Sequence, residues 1–211
     1  MMNKKIIALR FSKASRSYEL WAKPQERVAN RLRELWGLKG RVLDIGCGTG
    51  FATKGIDAVR VDISLEMAIK SGGMVADAHF LPFKDRVFDT VVSSFSLHWT
   101  EIEVSVPEAL RVCRGAFIGA IPVEGSLEVF NFPFPKPERI IRLLKGGVEV
   151  FSERVEIPYR GIDLLRFLKY TGSSYNPAVC GGIIAKEKLV RLVSECESPA
   201  FEVLFFKCEV S

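Results

Sequence analysis

At 211 residues the chain has the length of one ordinary domain, large enough to bury a core without disulfides or a structural metal. Five scattered cysteines (Cys47, Cys113, Cys180, Cys196 and Cys208), the lack of any Cys-x-x-Cys pair and only two histidines argue against a disulfide framework and against a metal centre. The net charge of +5 is gathered at one end: residues 1–42 carry eleven basic side chains against three acidic ones, which suits nucleic acid, an acidic carrier protein, or only water.

In chain order, the apolar run Ile6 to Leu9 is interrupted by Arg10 and is too short for a signal-peptide core. No later stretch reaches membrane-spanning length, so no membrane association and a cytoplasmic location are expected. Phe11 to Gln25 is polar but carries Phe11, Tyr18 and Trp21, and Pro24 suits the first turn of a helix. Val28, Leu32, Leu35 and Trp36 then recur at helical spacing until Gly37 and Gly40. Residues 1–40 therefore read as an amino-terminal helical cap.

The chain next reaches Val42-Leu43-Asp44-Ile45-Gly46-Cys47-Gly48-Thr49-Gly50. Val42 to Ile45 reads as a short buried strand. The alternate glycines read as the turn at its carboxyl end, where the backbone bends sharply and admits a ligand without a Cβ in the way. In an open α/β sheet a nucleotide-like ligand binds at that end. A pyrophosphate site carries Gly-x-Gly-x-x-Gly, and a carboxylate such as Asp44 would repel the phosphates. Asp44 suits a cationic, amino-acid-bearing ligand instead. The string resembles the first motif of the class I methyltransferases, which bind S-adenosylmethionine (SAM); the alternative is a strand–helix turn without a ligand.

After a short connection, Ala58 to Ser64 reads as a second strand ending at Asp62. That carboxylate can accept from both hydroxyls of a ribose, or can merely close a turn. Ser64 caps a helix over Leu65 to Lys70, with Glu66 in its first turn. Met74 to Ala78 reads as a third strand, with Asp77 at its end able to accept from an adenine amino group near the Ala78 amide. Val87 to Trp99 is the fourth strand and its loop. It lacks the Asn/Asp-Pro-Pro-aromatic string of many nucleobase and side-chain amine methyltransferases, and His98 there is either a substrate contact or structural. A helix over Glu101–Arg114 and a fifth strand over Ala116–Ile121 follow. Residues 122–185 read as a substrate-side insertion: a stiff Phe132–Pro137 connection, a helix over Glu138–Lys145, an alternating strand over Val148–Ile157, a helix over Ile162–Tyr170 and a polar loop over Thr171–Pro177. A helix over Lys186–Cys196 and a strand over Phe201–Val210 close the chain.

Phe11, Ala14, Tyr18, Ala22 and Gln25, then Leu81-Pro82-Phe83, Phe88-Asp89, Leu97-His98-Trp99, Gly125-Ser126-Leu127 and Leu164 to Gly172, are similar to segments of the malonyl-carrier-protein O-methyltransferases of biotin synthesis. The resemblance implies a single domain over residues 1–211: α/β, Rossmann-like, with a seven-stranded mostly parallel sheet and helices on both faces. It implies SAM as the cofactor, held by Tyr18, Asp44, Gly46, Cys47, Gly48, Asp62, Ile63, Met67, Asp77, Ala78 and Ser94. It further implies methylation of the free carboxylate of a malonyl thioester on an acidic acyl carrier protein, or on coenzyme A, with Tyr18, His98, Trp99, Arg166 and Lys169 positioning the substrate. A carboxylate is ionised at neutral pH and needs no general base, so no catalytic side chain is expected. Three alternatives share the SAM features: a small-molecule C- or N-methyltransferase of the quinone-precursor type, an RNA methyltransferase using the basic segment, and a non-catalytic relative of the fold.

Overall fold

The computed structural model describes residues 3–177 and 186–210. One sheet holds β1 (Val42–Ile45), β2 (Ala58–Asp62), β3 (Met74–Val75), β4 (Phe88–Ser94), β5 (Cys113–Pro122), β6 (Gly147–Glu156) and β7 (Ala200–Glu209). Their order is β3-β2-β1-β4-β5-β7-β6. The first five strands run parallel, and β7 lies antiparallel between β5 and β6. The chain reverses direction across the sheet between β1 and β4, and a ligand crevice opens at the carboxyl ends of strands there.

The two-residue period of a strand sends neighbours to opposite faces. Val42, Val92, Ile118 and Phe205 pack on one face, beneath α3 (Lys23–Trp36) and α7 (Gly161–Tyr170). Leu43, Val91, Phe117 and Phe206 pack on the other, beneath α5 (Ile102–Val112). Both faces are covered, so the central strands carry apolar residues at successive positions, as in Val42-Leu43, Val91-Val92 and Phe117-Ile118. Phe206 lies where a Cβ on Gly119 would collide with its ring, and this explains the glycine in mid-strand.

Several boundaries differ from the sequence reading. The cap is three helices, α1 (Lys4–Ala14), α2 (Tyr18–Trp21) and α3, and the first starts where the Asn3 side chain accepts from the Ile6 amide. α4 (Leu65–Ser71) is one residue longer than expected. β3 has two residues in place of the expected five, because the chain turns away from the sheet edge once the Ala76 amide has bonded the Asp62 carbonyl. α5 stops at Val112 rather than Arg114 and passes into β5 without a turn; Gly115 makes this possible, since a Cβ there would strike the Asp89 carbonyl. α6 (Pro137–Ile141) is shorter than expected.

The range 122–185 contributes one whole strand to the sheet. Its residues 147–156 are the edge strand β6, paired along its whole length with β7. Residues 178–185, Cys180 among them, lie outside the described part. α8 (Lys186–Glu195) then leads to β7. No helix among the described residues is long and apolar enough to cross a membrane.

Candidate functional site

The glycine turn is laced to β2. The Gly46 and Cys47 amides both donate to the Val61 carbonyl, at 2.8 and 3.0 Å. The Gly48 amide donates to Asp62 Oδ2 at 2.9 Å, and the Ser64 amide to Asp62 Oδ1 at 2.8 Å. Gly46 and Gly48 both have positive φ. A Cβ on Gly46 would strike Ser96, whereas one on Gly48 would stand in open space.

Gly48 lines a cleft of about 970 Å³, open solvent included. Ten of the eleven residues expected to hold a cofactor line it: Tyr18, Asp44, Gly46, Cys47, Gly48, Asp62, Ile63, Asp77, Ala78 and Ser94. Met67 does not. It is fully buried behind the wall, packed with Tyr18 and Ala22, because it faces inward from α4 and its amide is spent on the Ser64 cap.

The polar groups of the cleft are held in defined states. Asp44, 1% exposed, accepts from Thr53 Oγ1 at 2.8 Å. Burial raises its pKa to about 7, against the opposing pull of that hydrogen bond and of Arg60. Burial likewise raises Asp62, against three backbone amides that favour its charged form. Burial first, and the Asp62 charge second, push the Tyr18 phenol up, so it stays protonated and able to donate. The Cys47 thiol is pushed up chiefly by burial and sits 3.2 Å from Ser71 Oγ, so it is no nucleophile. Asp77 lies on a turn beyond the shortened β3. Its oxygens already accept from Lys4 Nζ at 2.7 Å and the His79 amide at 3.0 Å, and each retains a second lone pair.

A second cavity of about 550 Å³ abuts the first. Phe11, Tyr18, Gln25, Phe95 and Trp99 line both. Beyond this shared wall the second cavity is a chamber of Phe132, Phe134 and Phe201 with His98. His98 is buried against Phe95, Trp99 and Phe134, and burial lowers its pKa to about 3, so the imidazole is neutral.

Tyr18, His98 and Trp99 thus meet at the chamber, whereas Arg166 and Lys169 do not line it. Leu164, Phe167 and Leu168 form the buried stripe of α7, and the two cations project from its other side. Arg166 is paired with Asp163 at 2.8 Å, and Lys169 lies over the Tyr170 ring. The 164/167/168 spacing was itself the signal that 166 and 169 face outward.

Gln25 carries no site role in the sequence reading. It is buried, lines both cavities, and its Oε1 has no hydrogen-bond partner. Ser94 Oγ and His98 Nδ1 are likewise buried without partners. Unpartnered buried polar atoms cost about 1–3 kcal/mol each, so their gathering around two cavities fits a bound ligand that completes them. Paired carboxylates at the strand ends, a phenol donor and a side-chain-free turn at Gly48 fit a nucleoside that carries an amino-acid end. Among the described residues no cluster could hold a metal ion.

A family model described as "Methyltransferase domain" matches residues 43–116, from the glycine-turn strand to β5. The malonyl-[acyl-carrier protein] O-methyltransferase of Neorickettsia risticii is 29% identical over 84% of this chain and 85% of its own length. The mitochondrial arginine-hydroxylase NDUFAF5 of Mus musculus is 36% identical over 45% of this chain, which spans only 32% of that protein. Among solved structures, a SAM-dependent methyltransferase of Thermotoga maritima, described as a possible histamine N-methyltransferase, matches with a TM-score of 0.63 at 17% identity. The match covers 97% of this chain and all of the other, and at that identity it speaks for the fold.

Proposed function

The chain is a SAM-dependent methyltransferase, and we propose that it transfers the methyl group to the free carboxylate of a malonyl thioester, presented on an acidic carrier protein. Supporting this reading is the shared wall of Phe11, Tyr18, Gln25, Phe95 and Trp99, which divides a cleft carrying Asp44, Asp62 and Asp77 from an aromatic chamber suited to an acceptor. Also in its favour is the similarity, along most of its length, to a relative named for that reaction.

In this reading Asp62 accepts the ribose hydroxyls. Asp44 and the backbone of Gly46, Cys47 and Gly48 hold the amino-acid end. Asp77 and the Ala78 amide meet the adenine edge, with Ile63 against the base. Tyr18 and Ser94 offer their hydroxyls toward the reacting end, and Met67 supports Tyr18 from behind. Bound there, SAM supplies an electrophilic methyl group on a sulfonium. The protein aligns the acceptor with it and excludes water with the aromatic wall. An ionised carboxylate needs no proton removed, which accords with a neutral His98 that contributes shape and a hydrogen bond rather than base catalysis.

One observation favours a second reading. Among the described residues lining the acceptor chamber there is no lysine or arginine. A neutral small molecule would enter such a chamber without a desolvated charge to compensate. An acceptor screen decides between the two readings, with S-adenosylhomocysteine release as the signal. Turnover of malonyl-carrier or malonyl-coenzyme A thioesters supports the first; turnover of quinone precursors with inert malonyl thioesters replaces it with the second.

A further inference from the structure

Doubly wound sheets of this kind follow the first strand with a helix. Here there is only a three-residue 3-10 turn, Phe51–Thr53, before the chain heads back for β2. The side chain that holds the turn comes from β2. Arg60 Nε donates to Thr53 Oγ1 at 2.8 Å, and Arg60 Nη2 donates to the carbonyls of Thr53 and Ile56 at 2.7 and 2.8 Å. Thr53, fully buried, donates its own hydroxyl to Asp44 Oδ2 at 2.8 Å. With the Thr53 oxygen accepting from a guanidinium, which has no lone pair to offer in return, its hydrogen is directed to Asp44.

The groups that face Asp44 come from each surrounding element. Thr53 belongs to the short turn, Arg60 and Asp62 to β2, and the Cys47 thiol to the glycine turn, while neutral Gln25 of α3 lines the same cleft. Arg60 is the cation of this set. Asp62 and burial both favour a protonated, uncharged Asp44; Thr53 and Arg60 act against them.

We infer that Arg60 and Thr53 form a buried relay that favours the ionised form of Asp44 against the protonated form that burial favours, and so act as positioning residues for the cationic amino-acid end of the cofactor. This rests on the reading of Asp44 as a cofactor ligand. It accounts for a charged arginine in the middle of a parallel strand, and for a catalytic-face turn that is ordered without a following helix.

The test is calorimetric titration of SAM into the full-length protein and its Thr53→Val, Thr53→Ser, Arg60→Met and Asp44→Asn variants at pH 6.5 and 8.5. Carbon NMR of the aspartate carboxylates in the ligand-free protein accompanies it. In Thr53→Val and Arg60→Met the Asp44 titration should move up by about one unit, and affinity relative to wild type should fall about tenfold at pH 6.5 and recover at pH 8.5. Thr53→Ser should restore wild-type behaviour. An equal loss at both pH values, or an Asp44 midpoint unmoved in Thr53→Val, overturns the relay and leaves the turn a purely structural brace. If Asp44→Asn binds SAM as wild type does, the reading of Asp44 as a ligand has failed and the relay falls with it. If Asp44→Asn binds weakly while Thr53→Val binds normally, the relay alone is wrong.

Discussion

Asp62 accepts a hydrogen bond from the Gly48 amide on one oxygen at 2.9 Å, so the strand-end carboxylate and the glycine turn are one structure. The residue proposed to receive the ribose also fixes the turn beneath the amino-acid end of the same ligand. Replacing it therefore acts twice.

Asp62→Ala should weaken SAM binding by roughly 10- to 100-fold, the worth of one charge-assisted hydrogen bond at about 1.5–3 kcal/mol. It should also lower the melting temperature of the ligand-free protein, because the Gly48 and Ser64 amides lose their acceptor. Titration calorimetry and a thermal melt check the two effects separately. Unchanged affinity would remove Asp62 from the site.

The two glycines of the turn should fail in different ways. Gly46→Ala places a Cβ against Ser96, whose hydroxyl bonds the Ile45 carbonyl, and does so at positive φ; a loss of about 2–4 kcal/mol in urea unfolding is expected. Gly48→Ala meets no neighbour within 4 Å, so its cost in stability should be limited to the positive-φ strain of about 1–2 kcal/mol. Because Gly48 lines the cleft, the variant should lose SAM affinity out of proportion to stability.

Two buried groups should pull stability in opposite directions with pH. His98 has its folded pKa lowered to about 3, so below about pH 6.5 the unfolded chain binds a proton that the folded one does not, and stability rises with pH from about 3 to 6.5. Asp44 has its folded pKa raised to about 7. Between about pH 4 and 7 the folded chain holds the extra proton, and stability falls as pH rises. The slopes, about 1.4 kcal/mol per pH unit each, offset one another between about pH 4 and 6.5. Asp44→Asn should therefore make stability climb more steeply with pH over that window, and His98→Gln should make it decline. Urea titrations at pH 4.5, 5.5 and 6.5 test this, and slopes that match wild type in both variants would refute it.

Phe134→Ala should separate acceptor from cofactor. Phe134 lines the chamber but not the cleft, and its ring packs against His98 and Phe132. Roughly a tenfold rise in acceptor KM is expected, with SAM affinity within twofold of wild type. Equal damage to both would mean that the chamber braces the cleft instead of holding the acceptor.

What was legible in the sequence was local. The glycine turn, Asp44 and Asp62 stand within nineteen residues of one another, and consecutive strands joined by so short a connection lie side by side. The α7 cations show the opposite case. A family resemblance places the segment of Arg166 and Lys169 at the site, whereas the 164/167/168 stripe turns both side chains outward. The shortened β3 was hidden for a different reason: an edge strand ends when its neighbour stops offering carbonyls, and no residue of its own records that.

The sequence by itself determined the frame of the cleft, since a glycine turn leaving one strand and a carboxylate ending the next lie close along the chain, where short-range spacing already expresses them. Only the tertiary structure decided the rest. It brought Gln25 and Phe11 of the cap, Phe95 and Trp99 of the β4 loop and Phe134 of a distant connection around one chamber. It also set Arg60 behind Asp44 through Thr53. Those groupings depend on which elements the sheet order and the packing of helices on its faces make neighbours, and contacts between distant segments leave no periodic trace along the chain.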